Sequence, residues 1–354
     1  MQILQKIKNN SDYKRLFENF ISLSILQGLN YILPLVTFPY LVRVLGVEKF
    51  GLLSFATATI AYFQILTDYG FNLSATREVA INRDNKEKLN EIFSSVMIIK
   101  FCLLIISFLL LSVLVFSFEK FRQDWLVYYL SFGMVVGQVL FPVWFFQGME
   151  RMRYITILNA VAKGIFTIAI FVFVKSQSDY WKVPLLNSIG FLIAGIASLV
   201  LIYKYFKIVL TRVSKISIFK QLQDGWLIFI SNITVSLYTI STTFILGLFT
   251  NNIIVGYYSA ADKLINIAKS LFFPVTQTLY PYISNLASRS KKRTIDLIKK
   301  IALIFGLIGM IITISISFFA EKIIYIIVGS GFSNSIVILK IFSLLPFLII
   351  LSNT

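Results

Sequence analysis

Ionisable and amide side chains inside long apolar runs are the residues of this chain able to do chemistry. A charge at the centre of a bilayer costs at least about 2.5–3.5 kcal/mol, so such residues need a reason to be there. Asp68, Lys100, Lys163, Asp262, Lys269 and Lys340 all fall in such runs. Thr57, Ala61, Gln64 and Asp68 are spaced i, i+4, i+7, i+11, which places them on one face of a helix. Asp262, Asn266, Lys269 and Phe273 repeat that spacing, and Asn232, Ser236, Thr239 and Thr243 repeat it again, with Tyr238 and Thr242 beside them. Facing one another, these stripes would line a hydroxyl-rich, net cationic cavity. Hydroxyls and carboxamides suit sugars, while lysine and arginine suit phosphate. The competing reading is interhelical glue for serine and threonine and snorkelling for lysine near helix ends. The individual hydroxyls fit that second reading, whereas Asp68, Lys163 and Lys269 fit the cavity.

The elements that must position these residues are ten apolar runs, roughly 20–42, 50–70, 94–116, 125–147, 155–175, 183–204, 223–248, 256–282, 300–320 and 333–353. Each approaches the ~20 residues that a helix needs to cross a bilayer. The chain is 57% hydrophobic and 14% charged, and 354 residues offer no soluble core able to bury ten such helices. The predicted fold class is an all-α integral membrane protein. Basic residues sit mainly in the N-terminal tail and every second loop after it. These are Lys6, Lys8, Lys14 and Arg15, then Arg77, Arg83, Lys86 and Lys88, then Arg151 and Arg153; further along come the 204–222 and 283–300 loops. The opposite loops hold far fewer, among them Arg43, Lys120, Arg122 and Lys182. Positive loops stay inside, so the N-terminus is expected in the cytoplasm and odd-numbered spans run outward. The net charge of +17 then needs no nucleic acid, since this topology and an anionic leaflet account for much of it.

Several enzyme chemistries are closed. The chain has no histidine, hence no imidazole base, histidine–metal site or Ser–His triad. Cys102, the single cysteine, lies within the third run and is expected to pack as a small apolar residue. No Gly-x-x-x-x-Gly-Lys-Ser/Thr loop is present for ATP. No cofactor or metal is expected. The loops are too short for a globular domain, and the outer pair Glu119 and Asp124 fits a solvated loop edge. The first run, about 23 residues long, exceeds a signal-peptide core and is expected to be a retained anchor.

An internal repeat is visible. Gly51-Leu-Leu-Ser54-Phe-Ala56 opens the second run and Gly256-Tyr-Tyr-Ser259-Ala-Ala261 opens the eighth, with Leu45-Gly46 and Leu246-Gly247 closing the runs before them. Both copies start on the same side, which implies parallel repeats about an axis normal to the membrane. The expected division is a six-helix bundle over 1–210 and a second bundle, four helices of it present, over 211–354. The seven prolines, 34, 39, 142, 184, 274, 281 and 346, lie in or at the mouths of runs. Proline frees a backbone carbonyl, which suits hinges and cavities, although membrane helices carry more proline in any case.

Five ordered motifs carry a family resemblance. They are Phe38-Pro39-Tyr40-Leu-Val-Arg43-Val-Leu-Gly46 with Phe50-Gly51-Leu-Leu-Ser54; Asp68-Tyr-Gly70-Phe-Asn72-Leu-Ser74-Ala-Thr76-Arg77-Glu78; Pro142-Val-Trp144-Phe-Phe-Gln147-Gly148-Met-Glu150-Arg151; Gly256-Tyr257-Tyr258-Ser259-Ala-Ala261-Asp262-Lys263; and Tyr280-Pro281-Tyr282-Ile-Ser284. From about Lys14 onward the chain resembles the Wzx-type oligosaccharide flippases of the multidrug/oligosaccharidyl-lipid/polysaccharide exporter superfamily.

The resemblance implies a MATE-like pair of bundles around a cavity open alternately to either side. It also implies an inner-membrane location and an undecaprenyl-diphosphate-linked O-antigen or related repeat unit as cargo. A polysaccharide polymerase and a chain-length regulator are the implied partners, besides membrane lipids. Arg43, Gln64, Asp68, Arg77, Lys100, Lys163, Asn232, Thr239, Asp262, Lys263, Asn266 and Lys269 are then the candidate cavity residues. Arg77, Arg151 and Lys263 would gather the headgroup at the cytoplasmic edge, and Asp68 and Asp262 are candidate coupling-ion sites. Such proteins usually have twelve spans or more, so the ten here suggest a truncated second bundle. Other readings are a multidrug antiporter, which would favour a carboxylate-lined cavity, a lipid II flippase differing only in cargo, and a membrane polymerase or ligase, which the short outer loops oppose.

Overall fold

A computed structural model of the chain describes residues 11–270, 283, 286 and 290–352. Among these residues there is no strand, and helices occupy nearly every position. In chain order they are α1 (Ser11–Asp68), α2 (Phe71–Ile81), α3 (Lys86–Ser117), α4 (Glu119–Gln123), α5 (Trp125–Leu140), α6 (Val143–Gly148) and α7 (Met152–Phe173). After a 3-10 turn at Gln177–Trp181 come α8 (Lys182–Leu201), α9 (Lys215–Thr239), α10 (Ser241–Phe249) and α11 (Asn252–Ser270). The last are α12 (Lys291–Ile323), α13 (Ser335–Phe342) and α14 (Leu344–Ser352). Six helical stretches are long and apolar enough to cross a membrane, or seven if the pair α9 and α10, bent by 57°, makes one span. The chain is thus an all-α membrane protein.

The predicted runs fall on these helices, but with different breaks. The first two runs are joined in α1, where Gly46 alone leaves helical geometry at φ 69°. The break after α1 comes at Tyr69 and Gly70, both at positive φ. The fourth run is split at Phe141 and Pro142, consistent with proline's missing N–H. The seventh is split between Thr239 and Ser241. The later part of the eighth run, with Phe273, Pro274, Tyr280 and Pro281, lies outside the described residues.

Packing divides the chain into two units, one of residues 1–33 and 55–245, the other of 34–54 and 246–354. A division by packing is not a division by repeat, so the bundle boundary at 210 and 211 stays a proposal. In the first unit, α5 and α8 make the most extensive helix pair. Small residues permit it. A Cβ on Gly137 would stand 2.6 Å from Phe191, and one on Gly133 2.7 Å from Ser188. Hydroxyls then bridge the close backbones: Ser188 donates to the Leu130 carbonyl at 2.5 Å and Ser198 to that of Leu140 at 3.0 Å. Beside this pair, Phe71, Phe93, Trp144, Phe145 and Phe146 form a buried aromatic core. The turn after α6 is pinned by Arg83, which donates to the Gly148 carbonyl at 2.9 Å and pairs with Glu150 at 2.9 Å. The entry to α9 is pinned to α2 by Glu78, which accepts from Lys220 and, at 2.6 Å, from Gln221. Cys102 lies on the exposed side of α3 rather than in its packed face.

In the second unit, Phe38, Val42, Ala260, Ala261, Leu264, Ile265, Ala320, Ile324, Phe332 and Leu339 form the core. Its closest approach joins the two copies of the sequence repeat. A Cβ on Gly51 would overlap the Asn252 carbonyl and stand 2.6 Å from the Gly256 nitrogen, while one on Gly256 would overlap the Val47 carbonyl. The alignment that matches Gly51 with Gly256 also matches Val47 with Asn252. Each glycine therefore meets the partner of the other's neighbour, the reciprocity of an isologous two-fold contact.

Candidate functional site

The helix-periodic stripes on α1 and α9 meet. Ala61, Gln64 and Asp68 from α1, with Asn232 and Ser236 from α9, line one cavity of about 330 Å³. Asn72 from α2, Gln138 from α5, and the apolar Ile65, Val235 and Ile240 complete its wall. The break at Tyr69 and Gly70 supplies the geometry. Gly70 takes φ 78°, and a Cβ there would stand 2.8 Å from Ile228 of α9, so the chain turns against α9 where only glycine fits. Tyr69 stacks on Phe229 of α9 with ring centroids 4.7 Å apart. Asp68 is thereby held at the end of α1, two residues before Gly70.

The polar groups of this cavity are largely unclaimed by the protein. Among the described residues the side-chain amides of Gln64, Asn72, Gln138 and Asn232 form no hydrogen bond; only their backbone carbonyls do, as in Ser236 Oγ to Asn232 O at 2.6 Å. Asp68 is 8% exposed, and its buried Oδ1 has no hydrogen-bond partner. The Lys100 ammonium stands 4.0 Å from that oxygen. Lys100 is 2% exposed and lies behind Asp68 on α3, not on the cavity wall. Burying either charge alone would be severely unfavourable, and the pair offsets part of that cost.

The other candidates are not among the described residues that line this cavity. Lys163 of α7 donates to Asn30 Oδ1 of α1. Thr239 is exposed and its hydroxyl returns to the Val235 carbonyl at 3.0 Å, and Arg77 is exposed on α2. In the second unit, Arg43 donates to the Ile326 carbonyl, in the π-helical turn that ends α12. On α11, Asn266 donates to Asp262 at 2.8 Å and Lys269 to Asn266 at 3.2 Å, while Lys263 is exposed. A second, apolar cavity of about 460 Å³ in this unit is lined by Phe38, Pro39, Leu264, Ile267, Ile316 and Leu339 among others. The lining of the polar cavity is therefore richer in carboxamides and poorer in cations than expected: Asp68 is its one charged residue among those described. Asn72 and Gln138 were not singled out as cavity residues. Gln138 could have been found as a polar residue deep in an otherwise apolar run.

The family model described as "Polysaccharide biosynthesis protein" matches residues 16–287. The chain belongs to this family. A protein named "Putative O-antigen transporter" from Escherichia coli (strain K12) is 34% identical over 344 residues, covering 97% of this chain and 83% of its own length. One of the same name from Shigella dysenteriae is 29% identical over 338 residues, covering 95% and 84%. No solved structure matches. Family membership bears out the resemblance to Wzx-type flippases and with it a transporter rather than an enzyme.

Proposed function

We propose that the chain is a flippase that moves an undecaprenyl-diphosphate-linked O-antigen or related repeat unit from the cytoplasmic to the periplasmic leaflet of a bacterial inner membrane. Ten crossings, a cytoplasmic N-terminus, two MATE-like bundles divided near residue 210, and alternating access belong to this reading. The observation that carries it is the polar cavity inside an all-α membrane unit, whose four carboxamides form no hydrogen bond among the described residues. Such a cargo leaves its tail in hydrocarbon while its hydroxyls and diphosphate must cross about 30 Å of it. Fixed amides and hydroxyls replace the water that the saccharide gives up.

None of the cationic candidates is among the described residues lining this cavity, so the diphosphate is assigned to residues beyond that lining, among them the exposed Arg77, Arg151 and Lys263. Direction comes from periplasmic consumption of the product or from an ion gradient. Asp68 and Asp262 are the two carboxylates proposed for coupling, each with lysine nearby: Lys100 beside Asp68, and Lys269, through Asn266, beside Asp262. A polymerase and a chain-length regulator are the partners that would take the product.

Deletion of the gene, followed by locating and sizing the lipid-linked saccharide, tests the reading. Single repeat units trapped on the inner leaflet with surface polysaccharide lost are expected. Single units reaching the surface without polymer would assign the chain to polymerisation instead.

A further inference from the structure

We propose that the cavity between the α1 and α9 stripes is the subsite for one sugar ring of the cargo, with Asp68 accepting from ring hydroxyls and Lys100 positioning Asp68 from behind. The proposal rests on the flippase reading and adds which part of the cargo this site holds.

Four observations converge on a sugar. First, among the described residues the wall offers four carboxamides, one hydroxyl and one carboxylate, and no lysine or arginine. A carboxamide presents a donor and an acceptor side by side, as a hydroxyl does, so the two satisfy each other. A diphosphate here would meet a carboxylate with no facing cation, a like-charge contact that disfavours it. Second, among the described residues these amides make no hydrogen bond to protein, which leaves their donors and acceptors open to ligand hydroxyls. Third, Lys100 already balances Asp68 from the protein side, so the site calls for a neutral donor rather than a free cation. Fourth, Ala61, Ile65, Val235 and Ile240 supply an apolar strip in the same wall, suited to the C–H face of a sugar ring. The volume, about 330 Å³, is at the small end for a ligand pocket, which fits one ring rather than a whole repeat unit. Sites built to hydrogen-bond a hydroxyl reject analogues lacking it by large factors, so this cavity would set which saccharide is accepted.

The test uses the full chain, purified, and two probes: the oligosaccharide released by mild acid from the lipid-linked unit of the deletion strain, and inorganic pyrophosphate. Titration calorimetry should show the oligosaccharide binding, with Gln138→Ala and Asn232→Ala each weakening it by about tenfold, as loss of one good hydrogen bond implies. Pyrophosphate should not displace it. Lys100→Met should weaken oligosaccharide binding, and Asp68→Asn with Lys100→Met should restore thermal stability without restoring affinity, which separates positioning of Asp68 from folding. Unchanged affinity in the Gln138→Ala and Asn232→Ala double variant, displacement by pyrophosphate, or no oligosaccharide binding at all would overturn the subsite. In the deletion strain, these alanine variants should carry the native unit slowly. Units trapped by deletion yet carried at the wild-type rate by the variants would sink the subsite alone. Units that are never trapped would sink the flippase reading itself.

Discussion

The Lys100 ammonium and the Asp68 carboxylate are 2% and 8% exposed and 4.0 Å apart, so each charge left water with the other as its partner. Removing one partner of a buried pair costs about 3–5 kcal/mol, whereas replacing both by neutral groups is close to neutral. Lys100→Met should therefore lower the thermal midpoint of the purified protein markedly, and Asp68→Asn in the same chain should recover most of the loss. A Lys100→Met midpoint equal to wild type would mean that the pair does not exist. At this scale the sequence was informative where a period exists. Gln64, Asp68, Asn232 and Ser236 were legible because helical spacing alone puts each set on one face. Asn72 was not, because the turn at Tyr69 and Gly70 resets the period between it and Asp68. Lys163 was legible as an expensive residue and Arg43 as a candidate cavity residue, but not as partners of Asn30 and the Ile326 carbonyl, since those contacts join distant parts of the chain.

Among the elements, the glycines decide how close the helices come. Gly51 and Gly256 share one contact through Val47 and Asn252, so a methyl group on either must push α1 and α11 apart. Once they are apart, the second methyl group meets less resistance. Gly51→Ala and Gly256→Ala should each destabilise, and the double variant should cost less than their sum by about 0.5–3 kcal/mol, the coupling expected of residues in contact. Thermal unfolding of the four proteins closes that cycle, and strict additivity would show that the two glycines act independently. The repeat that places these glycines was visible as matched letters; their reciprocity was not, because letters carry no contact. The breaks at Gly46 and Gly70 were legible, because the apolar runs end beside them, whereas the break between Thr239 and Ser241 was hidden inside a continuous apolar run.

For the whole molecule, the alternation of basic loops makes a topological prediction. Single cysteines at positions 83 and 207, in a Cys102→Ser chain, should react with an impermeant maleimide only from the cytoplasmic side, and cysteines at 122 and 178 only from outside. The reverse pattern would invert the protein in the membrane. Apolar length was legible because a bilayer imposes it on every span, whereas the division into packing units was not, because it depends on which faces meet. The Asp68–Lys100 pair has one more consequence, for voltage. Two opposite charges 4.0 Å apart carry no net charge, so motion of that pair through the membrane field does almost no electrical work. A diphosphate does: each unit charge crossing 100 mV gains or loses about 2.3 kcal/mol. With the cell interior negative, a dianion leaving the cytoplasmic leaflet is pushed outward by the potential itself. Clamping the potential to zero with potassium and valinomycin should slow outward flipping several-fold in membrane vesicles, while a pH gradient alone should leave it unchanged. A response to the pH gradient instead would give the driving role to a protein carboxylate such as Asp262.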